Sequence, residues 1–411
     1  MLVDVRTQTR EELALQFEAW GLPTYRLDQL LSWLYIHRVV AWDEMKNLPR
    51  DLREKLQATY HLRPLQLARL QGARDTTQKF LWKLHDNSLV ESVLIPANPA
   101  LYGEASDRHT LCVSTQVGCA YGCKFCASGL DGWKRNLHPD EIVEQVLAVE
   151  RWHARQPAGA TEDPTLPGAA ARPRAAARSP GLPAASAPAT SGPPPSPGER
   201  PTAGTDTRRV NNLVIMGMGE PLANYANLLQ ALRILNAPWG GGIGARKITI
   251  STSGLVPQIR KLAEEPLQFR LALSLHGATD ETRNKIMPVN RKYPLYDLIG
   301  ACEYYVQRKG HMITLEYILI SGVNDAVREV HPLAALARRL HAKINLIPYN
   351  RVEGLAWDRP TEATQEAFRA ALEAEQVPVT LRREKGHDID AACGQLRLKT
   401  ERELAFPGHR C

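Results

Sequence analysis

The stretch that decides how this chain is interpreted spans residues 112–126 and reads Cys112-Val113-Ser114-Thr115-Gln116-Val117-Gly118-Cys119-Ala120-Tyr121-Gly122-Cys123-Lys124-Phe125-Cys126. It holds four of the seven cysteines, and three of them are spaced C-x3-C-x2-C on a short loop after a β-like run. Three thiolates can hold three irons of a cubane cluster and leave the fourth iron open, whereas four cysteines are the usual complement. A zinc site and reactive thiols without a function are the alternatives. Zinc loops draw four ligands from two pairs, and the sequence has no second pair, so the spacing favours a cluster.

The chain has 411 residues, of which 44% are hydrophobic. It is therefore large enough for two or three domains with a buried core. No apolar run of about eighteen residues is present, so we expect no transmembrane helix and no membrane partner. Residues 1–6 lack the pattern of a signal peptide. The odd, clustered set of seven cysteines does not suit a disulfide framework. We therefore expect a cytoplasmic protein.

The net charge of +7 fits either a polyanionic partner or an ordinary basic protein. Residues 156–207 contain four arginines, no lysine and four acidic residues, so this segment is neutral. It also holds 12 of the 29 prolines and no aromatic residue, valine or isoleucine. Such a segment cannot bury enough apolar surface to offset the entropy of ordering it. We expect a disordered Pro/Ala-rich insertion, with the positive charge on the rest of the chain.

Residues 1–62 are predicted to form a small helical domain. Thr9 is a plausible helix cap with Glu12 three residues later, a second helix covers 25–35 and a third follows Pro49. The interleaved arginines and lysines could contact phosphate groups, although a solvated helical face is the more common meaning of such a pattern.

Residues 63–100 change to a period of two and predict a β-hairpin that links the helical domain to the rest of the chain. Its strands are 79–84 and 88–96, on either side of the turn 85–87. Glu91 lies within an otherwise apolar strand. Such a carboxylate either faces solvent or is held for a purpose.

The main domain is predicted to span residues 101–396 and to be interrupted by the insertion, with a tail at 397–411. A strand at 110–114 and a helix at 139–155 precede the insertion. Beyond it, strand-like and helix-like runs alternate, which predicts an α/β fold with a parallel sheet and right-handed crossovers. The predicted strands are 213–216, 247–251, 269–275, 312–318, 343–347 and 379–382, and the predicted helices are 225–236, 255–264, 295–309, 325–340 and 361–375.

Polar clusters follow several of these strands. In parallel α/β barrels the chemistry lies at the carboxyl ends of the strands, where the cysteine loop also falls. The glycines before Glu220 allow a close approach of the backbone to a ligand, and the Glu220 carboxylate suits an ammonium group. Ser251 and its neighbours suit a carboxylate or a ribose. The runs concerned are Gly217-Met218-Gly219-Glu220, Ser251-Thr252-Ser253-Gly254, Ser274-Leu275-His276 and Tyr349-Asn350.

Three cysteines lie outside the opening stretch. Cys393 follows the last strand beside Gly394 and is either a reactive thiol at the catalytic end or an incidental one. Cys302 lies in the middle of a predicted helix and is expected to be in the core, and Cys411 is the last residue.

Together these motifs resemble the RlmN family of RNA methyltransferases, which belongs to the radical S-adenosylmethionine (radical SAM) enzymes. The resemblance runs along essentially the whole chain except 156–207. Besides the cysteine loop and Cys112, the motifs that carry it are Arg135-Asn136-Leu137, Met216-Gly217-Met218-Gly219-Glu220-Pro221-Leu222, Ser251-Thr252-Ser253-Gly254 and Asp388-Ile389-Asp390-Ala391-Ala392-Cys393-Gly394-Gln395-Leu396.

The resemblance implies a partial (β/α)6 radical SAM barrel with two cofactors, a 4Fe-4S cluster and S-adenosylmethionine, the latter used twice per turnover. Cys119, Cys123 and Cys126 would hold the cluster. S-adenosylmethionine would contact Gly219, Glu220, Ser251, Ser274, Leu275, His276 and Asn350.

The reaction implied is methylation of C2 of an adenosine in 23S rRNA and in tRNA. Cys393 would first be methylated, and a radical formed from a second S-adenosylmethionine would activate that methyl group for addition to C2. Glu91 would remove the C2 proton, and Cys112 would attack the sulfur of Cys393 to release the RNA. An external electron donor such as flavodoxin or ferredoxin and a monomeric state are also expected. The rival hypotheses are a related enzyme that methylates C8 and a non-catalytic RNA-binding iron–sulfur protein.

Overall fold

A computed structural model describes residues 2–72, 77–96, 108–156, 209–382 and 394–405 of the chain. The predicted insertion at 156–207 lies almost wholly outside these ranges, as do Cys393 and Cys411. No helix in the ranges described is long and apolar enough to cross a membrane.

Three helices form the N-terminal region, as the periodicity predicts: α1 (Arg10–Ala19), α2 (Thr24–Tyr35) and α3 (Arg50–Thr59). The predicted cap of α1 is present, because Thr9 accepts a hydrogen bond from Glu12 N and the Glu12 side chain accepts one from Thr9 N. Two short strands, β1 (Val3–Asp4) and β2 (Tyr60–His61), pair in parallel and close this region.

An antiparallel hairpin follows, with β4 (Gln78–Lys83) and β5 (Leu89–Pro96) in the predicted positions. The sequence analysis did not predict its third strand, β3 (Gln66–Gly72), which pairs with β4. Strand β3 is mostly exposed, so it lacks the alternation of apolar residues that marks a half-buried strand. The hairpin continues directly into the main sheet, because β5 pairs with β6 (His109–Cys112).

Seven parallel strands form the main domain, and together with the hairpin they make one ten-stranded sheet. Starting from β6, neighbouring strands in space follow the order of the chain, so each connection is a crossover to the adjacent strand. This is the parallel α/β arrangement that the alternation predicts, and it agrees with the partial barrel that the family resemblance implies. The strands after β6 are β9 (Asn212–Ile215), β10 (Ile248–Thr252), β11 (Arg270–Ser274), β12 (Thr314–Leu319), β13 (Lys343–Pro348) and β14 (Val379–Leu381).

Helices cover the outside of the barrel, and their apolar faces form one continuous core with the strands. Cys302 is fully buried in one of these helices, as predicted. The short helix at 280–286 was not predicted, because seven residues are too few to show a helical period. The helices are α4 (Pro139–Ala154), α5 (Tyr225–Asn236), α6 (Val256–Glu264), α7 (Asp280–Ile286), α8 (Leu295–Lys309), α9 (Val330–Arg339) and α10 (Glu362–Ala374).

The last described element is α11 (Gln395–Ala405), which packs against β5 and against residues 127–129, just after the cysteine loop. The boundary predicted at residue 397 therefore falls inside a helix. Leu396 is fully buried against Leu81 and Leu89 of the hairpin.

Candidate active site

The cysteine loop is held between two short antiparallel strands, β7 (Gln116–Gly118) and β8 (Trp133–Asn136). Gly118 has a φ of +74°, and a Cβ there would lie 2.0 Å from Gly132 O, so only glycine fits the base of the loop. Within the loop, Cys119 N donates to Gly132 O. The three loop cysteines line a cavity of about 250 Å³ at the carboxyl ends of the barrel strands.

The environment of the loop raises the pKa of its thiols. Burial, together with the neighbouring Cys126, raises the pKa of Cys119 to about 12. Burial and the same neighbour also raise the pKa of Cys123 well above its usual range. Thiols that resist ionisation in this way need a cationic centre to become thiolates, and a metal that the loop cysteines coordinate together would supply one.

Glu220 forms the wall of the cavity after β9 and is almost fully buried. Its Oε1 accepts hydrogen bonds from Leu222 N at 3.0 Å and Thr252 Oγ1 at 2.8 Å, and its Oε2 accepts one from Ser253 N at 2.7 Å. Burial raises the pKa of Glu220 above its usual value, and these donors partly oppose the effect. A carboxylate offers about four acceptor positions, so one remains for a cationic ligand group.

Hydroxyl groups from the next two strand ends complete this side of the cavity. Ser251 Oγ and Ser274 Oγ lie 3.2 Å apart and both residues line the cavity. Ser253 Oγ is also buried there, beside the Glu220 carboxylate, and it makes no hydrogen bond of good geometry to a described protein atom. A buried hydroxyl without a partner is costly, so this atom suits a hydrogen bond to a bound ligand.

His276 lies opposite the cysteine loop in a left-handed backbone conformation, with a φ of +56°. Its Nδ1 accepts a hydrogen bond from Ile318 N, which leaves the proton of a neutral ring on Nε2. Burial, reinforced by Arg283, lowers the pKa of His276 to about 3, so the ring is neutral near pH 7. The ring also meets Phe125 of the cysteine loop edge to face.

Arg283 is a residue that the sequence analysis missed. It is fully buried on α7, and it donates from Nε to Leu275 O and from Nη2 to Ser253 O. It thereby ties two strand ends of the cavity together. The helix cap at Thr279 could have revealed α7 in the sequence, but no local pattern indicates which atoms Arg283 reaches.

Two of the predicted cofactor contacts lie outside the cavity lining. Leu275 is fully buried, and its main-chain N and O are bonded to Glu316 O and Arg283 Nε. Asn350 accepts a weak hydrogen bond from Arg359 at 3.5 Å on the surface beyond β13. The other five predicted contacts line the cavity: Gly219, Glu220, Ser251, Ser274 and His276.

Glu91 and Cys112 lie on the same face of the sheet. Val93 pairs with Cys112 across β5 and β6, and Glu91 is two residues before Val93, so all three side chains point to one side. Both predicted residues are buried, Glu91 at 2% and Cys112 at 6% exposure. Glu91 is thus not on a solvent face, which resolves the alternative left open by the sequence.

Cys393 lies outside the described residues, but its neighbour Gly394 is described. Gly394 N donates to Glu91 Oε2 at 2.9 Å. Gly394 has a φ of +89°, and a Cβ there would meet Ser128 N at 2.9 Å, just beyond the cysteine loop. The residue that follows Cys393 is therefore bonded to Glu91 and lies beside Ser128, two residues after the last cysteine of the loop.

Comparisons with known proteins agree with this geometry. Residues 3–62 match the ribosomal RNA large subunit methyltransferase N-terminal domain, called RlmN_N, and residues 206–332 match the radical SAM superfamily. The chain is 49% identical to the probable dual-specificity RNA methyltransferase RlmN 3 of Opitutus terrae, over 96% of this chain and 94% of that protein. It is 47% identical to the probable RlmN of Akkermansia muciniphila, over 97% and 96%. A radical SAM methyltransferase from Sphaerobacter thermophilus has the same fold, with a TM-score of 0.77, 37% identity and coverage of 96% and 98%.

The barrel with thiols at the carboxyl ends of its strands, together with the superfamily match, defines the class: a radical SAM enzyme. Identity close to one half over nearly the whole length is much narrower evidence. On that evidence the chain belongs to the RlmN family of RNA methyltransferases.

Membership of this class implies S-adenosylmethionine and a 4Fe-4S cluster as cofactors. The residues present fit both groups. Three clustered thiols suit three irons, while the open acceptor position of Glu220 and the unsatisfied Ser253 hydroxyl suit a ligand that carries an ammonium group and oxygen atoms.

Proposed function

We propose that this enzyme methylates C2 of adenosine in RNA, with 23S rRNA and tRNA as substrates. The observation that carries the proposal is the hydrogen bond to Glu91 from Gly394, the residue after Cys393, which also lies beside Ser128, two residues after the last cysteine of the loop. This contact supports a site in which a cluster, a base and a further cysteine act on one substrate atom.

The cysteine loop would hold the cluster through Cys119, Cys123 and Cys126. Glu220 and the hydroxyls of Ser251 and Ser274 would bind S-adenosylmethionine, and His276 would donate from Nε2. Leu275 and Asn350 are weaker candidates, because the cavity does not reach them. When bound, the two cofactors supply the electron, the radical and the methyl group that the chemistry needs.

Adenine C2 is not nucleophilic, so polar methyl transfer to it would fail. In this proposal Cys393 carries the methyl group and becomes bonded to the base through the resulting methylene. Glu91 would accept the proton that leaves C2, and the unpaired electron of the adduct would pass to the cluster. The Cys112 thiolate would then attack the sulfur of Cys393: the S–S bond forms, the C–S bond breaks, and its electron pair goes to the methylene carbon, which takes up a proton to become the methyl group. The methylated RNA is freed and a disulfide remains. The shared sheet face of Glu91 and Cys112 supports these roles.

The deciding experiment is anaerobic reconstitution with a reducing system, followed by incubation with rRNA and tRNA and mass spectrometry of the nucleosides. We expect 2-methyladenosine from both RNAs. Methylation at C8 would favour the related-enzyme hypothesis, and the absence of 5′-deoxyadenosine would favour a non-catalytic RNA-binding protein.

The role of Cys112 has its own test. Cys112→Ala should accumulate a covalent RNA–protein adduct on a denaturing gel, because nothing attacks the sulfur of Cys393. Normal turnover by this variant would contradict the releasing role. Flavodoxin and ferredoxin can be compared as electron donors in the same assay, and light scattering tests the proposed monomer.

A further inference from the structure

The first turn of α11 is held by a carboxylate from a distant strand. Glu91 Oε2 accepts from Gly394 N at 2.9 Å and Glu91 Oε1 accepts from Arg397 N at 2.7 Å. The first amides of a helix have no partner within the helix, and a carboxylate at this end is favoured by the helix dipole. Glu91 therefore caps a helix that begins about three hundred residues later in the chain.

Lys79 completes this arrangement from the neighbouring strand. Its Nζ lies 3.2 Å from Glu91 Oε2, and both side chains are almost fully buried, at 1% and 2% exposure. Removing one member of a buried ion pair leaves an uncompensated charge and is strongly destabilising. Lys79 thus holds the Glu91 carboxylate where it meets the helix.

The other ion pairs of α11 are less buried than the Lys79–Glu91 pair. Arg69 with Glu403 and Lys134 with Glu401 are partly exposed pairs, and such pairs contribute little. Arg397 has a buried side chain, but its Nη2 lies 3.4 Å from the exposed Asp131. Apolar packing comes from Leu396. Gln395 Nε2 also donates to Arg351 O at 2.9 Å from an exposed position. The Glu91 cap differs in being buried and in holding two main-chain amides of the first turn with one carboxylate.

We propose that Glu91 is the anchor of the first turn of α11 and that Lys79 is the positioning residue that keeps it there. This inference rests on the proposed function for its consequence. When the C2–H bond breaks, its electron pair stays on the adenine ring, and the proton forms an O–H bond on the Glu91 carboxylate. The neutral carboxyl group loses its ion pair with Lys79 and one acceptor position. Proton transfer then loosens the turn that follows Cys393, at the stage when Cys393 must meet Cys112.

Hydrogen exchange of the full chain, without RNA and followed by mass spectrometry, tests the anchor. Glu91→Gln replaces the carboxylate with a neutral group of the same shape. We expect the amides of residues 394–397 to exchange about tenfold faster in this variant. Lys79→Met should give a smaller increase in the same peptide, and Lys79→Arg, which keeps the cation, should restore most of the protection.

Glu403→Gln is the matched control, because it removes an exposed charge from the same helix without touching Glu91. It should leave exchange at 394–397 unchanged. Unchanged exchange in Glu91→Gln would overturn the proposal, and so would equal effects of Glu91→Gln and Glu403→Gln. If Glu91→Gln fails to fold, the Lys79→Met and Lys79→Arg pair decides the question, since a lack of difference between them contradicts the positioning role. None of these measurements involves methylation, so they are independent of the proposed function.

Discussion

The cavity at the cysteine loop and the junction between β5 and α11 each contain a buried carboxylate, and the two are held differently. Glu220 and Glu91 are similarly inaccessible, at 3% and 2% exposure, and each accepts hydrogen bonds from main-chain amides. The partners of Glu220 come from adjacent strand ends, and no described cation pairs with it. Glu91 instead pairs with Lys79 and joins the hairpin to the end of the chain.

The difference indicates what each carboxylate can do. Glu220 accepts hydrogen bonds from neutral donors and has no cation beside it among the described residues, so a cationic ligand could pair with it. Glu91 already has Lys79 beside it, and its carboxylate holds the hairpin to α11. A buried charge without a partner is costly. Of the two carboxylates, the one that lacks an internal cation is therefore the better candidate for binding a cationic ligand.

The largest expected effect is on the cysteine loop beside Glu220. Cys123→Ala should abolish cluster binding and lower methylation by about a thousandfold or more, because two thiols cannot hold the cluster. Iron and sulfide content of the reconstituted protein measure this. Cys302→Ala is the control, since Cys302 is buried in α8 away from the cavity, and it should keep the cluster. Full iron content in Cys123→Ala would disprove the assignment of the ligands.

Glu220→Gln comes next. Loss of the charge should weaken S-adenosylmethionine binding by about 10- to 100-fold, as for a hydrogen bond to a charged group worth roughly 1.5–3 kcal/mol. Anaerobic calorimetry measures the Kd. Glu316→Gln is the control, because Glu316 is a buried carboxylate in the same cavity that already accepts from Asn345. Equal losses in both variants would mean that charge in general, and not the position of Glu220, attracts the ligand.

Gly394→Ala probes the junction at Glu91. The φ of +89° and the contact with Ser128 predict a displaced first turn of α11 and about a tenfold loss of methylation, with a strain of roughly 1–3 kcal/mol. Gly322→Ala has a similar φ of +68° but open space around the new Cβ, so it should cost stability without affecting methylation. If both variants behave alike, backbone strain rather than the contact is responsible.

A smaller effect concerns pH and His276. Its folded-state pKa of about 3 lies below the usual value of 6.5, so the unfolded state binds a proton that the folded state does not. The free energy of unfolding should therefore decrease as the pH falls below 6.5, by about 1.4 kcal/mol per pH unit from this one group. His276→Asn keeps an acceptor and tolerates a positive φ. Urea unfolding across this pH range should show a free energy of unfolding that depends less steeply on pH in His276→Asn than in the unchanged protein. The same slope in both proteins would argue against a neutral buried histidine.

The smallest effect is expected from deletion of residues 158–207. Glu150, near the end of α4, accepts hydrogen bonds from Arg209 N and Val210 N, so the chain returns close to where it left. A short Gly/Ser link should therefore close the gap, and methylation should stay within about twofold, because a link between nearby ends tolerates changes in length. An inactive deletion variant would show that the insertion has a task of its own.

Much of the fold was predictable because the local spacing of apolar residues indicates most of its helices and strands. The strands and helices of the barrel fall within a few residues of the predicted positions, and the cap of α1 is confirmed. Strand β3 and helix α7 were missed, since one is exposed and the other short. Of the seven predicted cofactor contacts, five line the cavity, because the strand ends of a parallel sheet meet at one edge. Arg283 was missed because its partners lie on other loops.

The sequence by itself determined the class of chemistry, because the spacing of Cys119, Cys123 and Cys126 is a local property of one loop. It also singled out Glu91 as a carboxylate in an apolar strand. Only the tertiary structure decided that Glu91 pairs with Lys79 and caps α11. The physical reason is that these partners meet through the register of the hairpin and the docking of the C-terminal helix. Neither contact leaves a pattern in the sequence near Glu91.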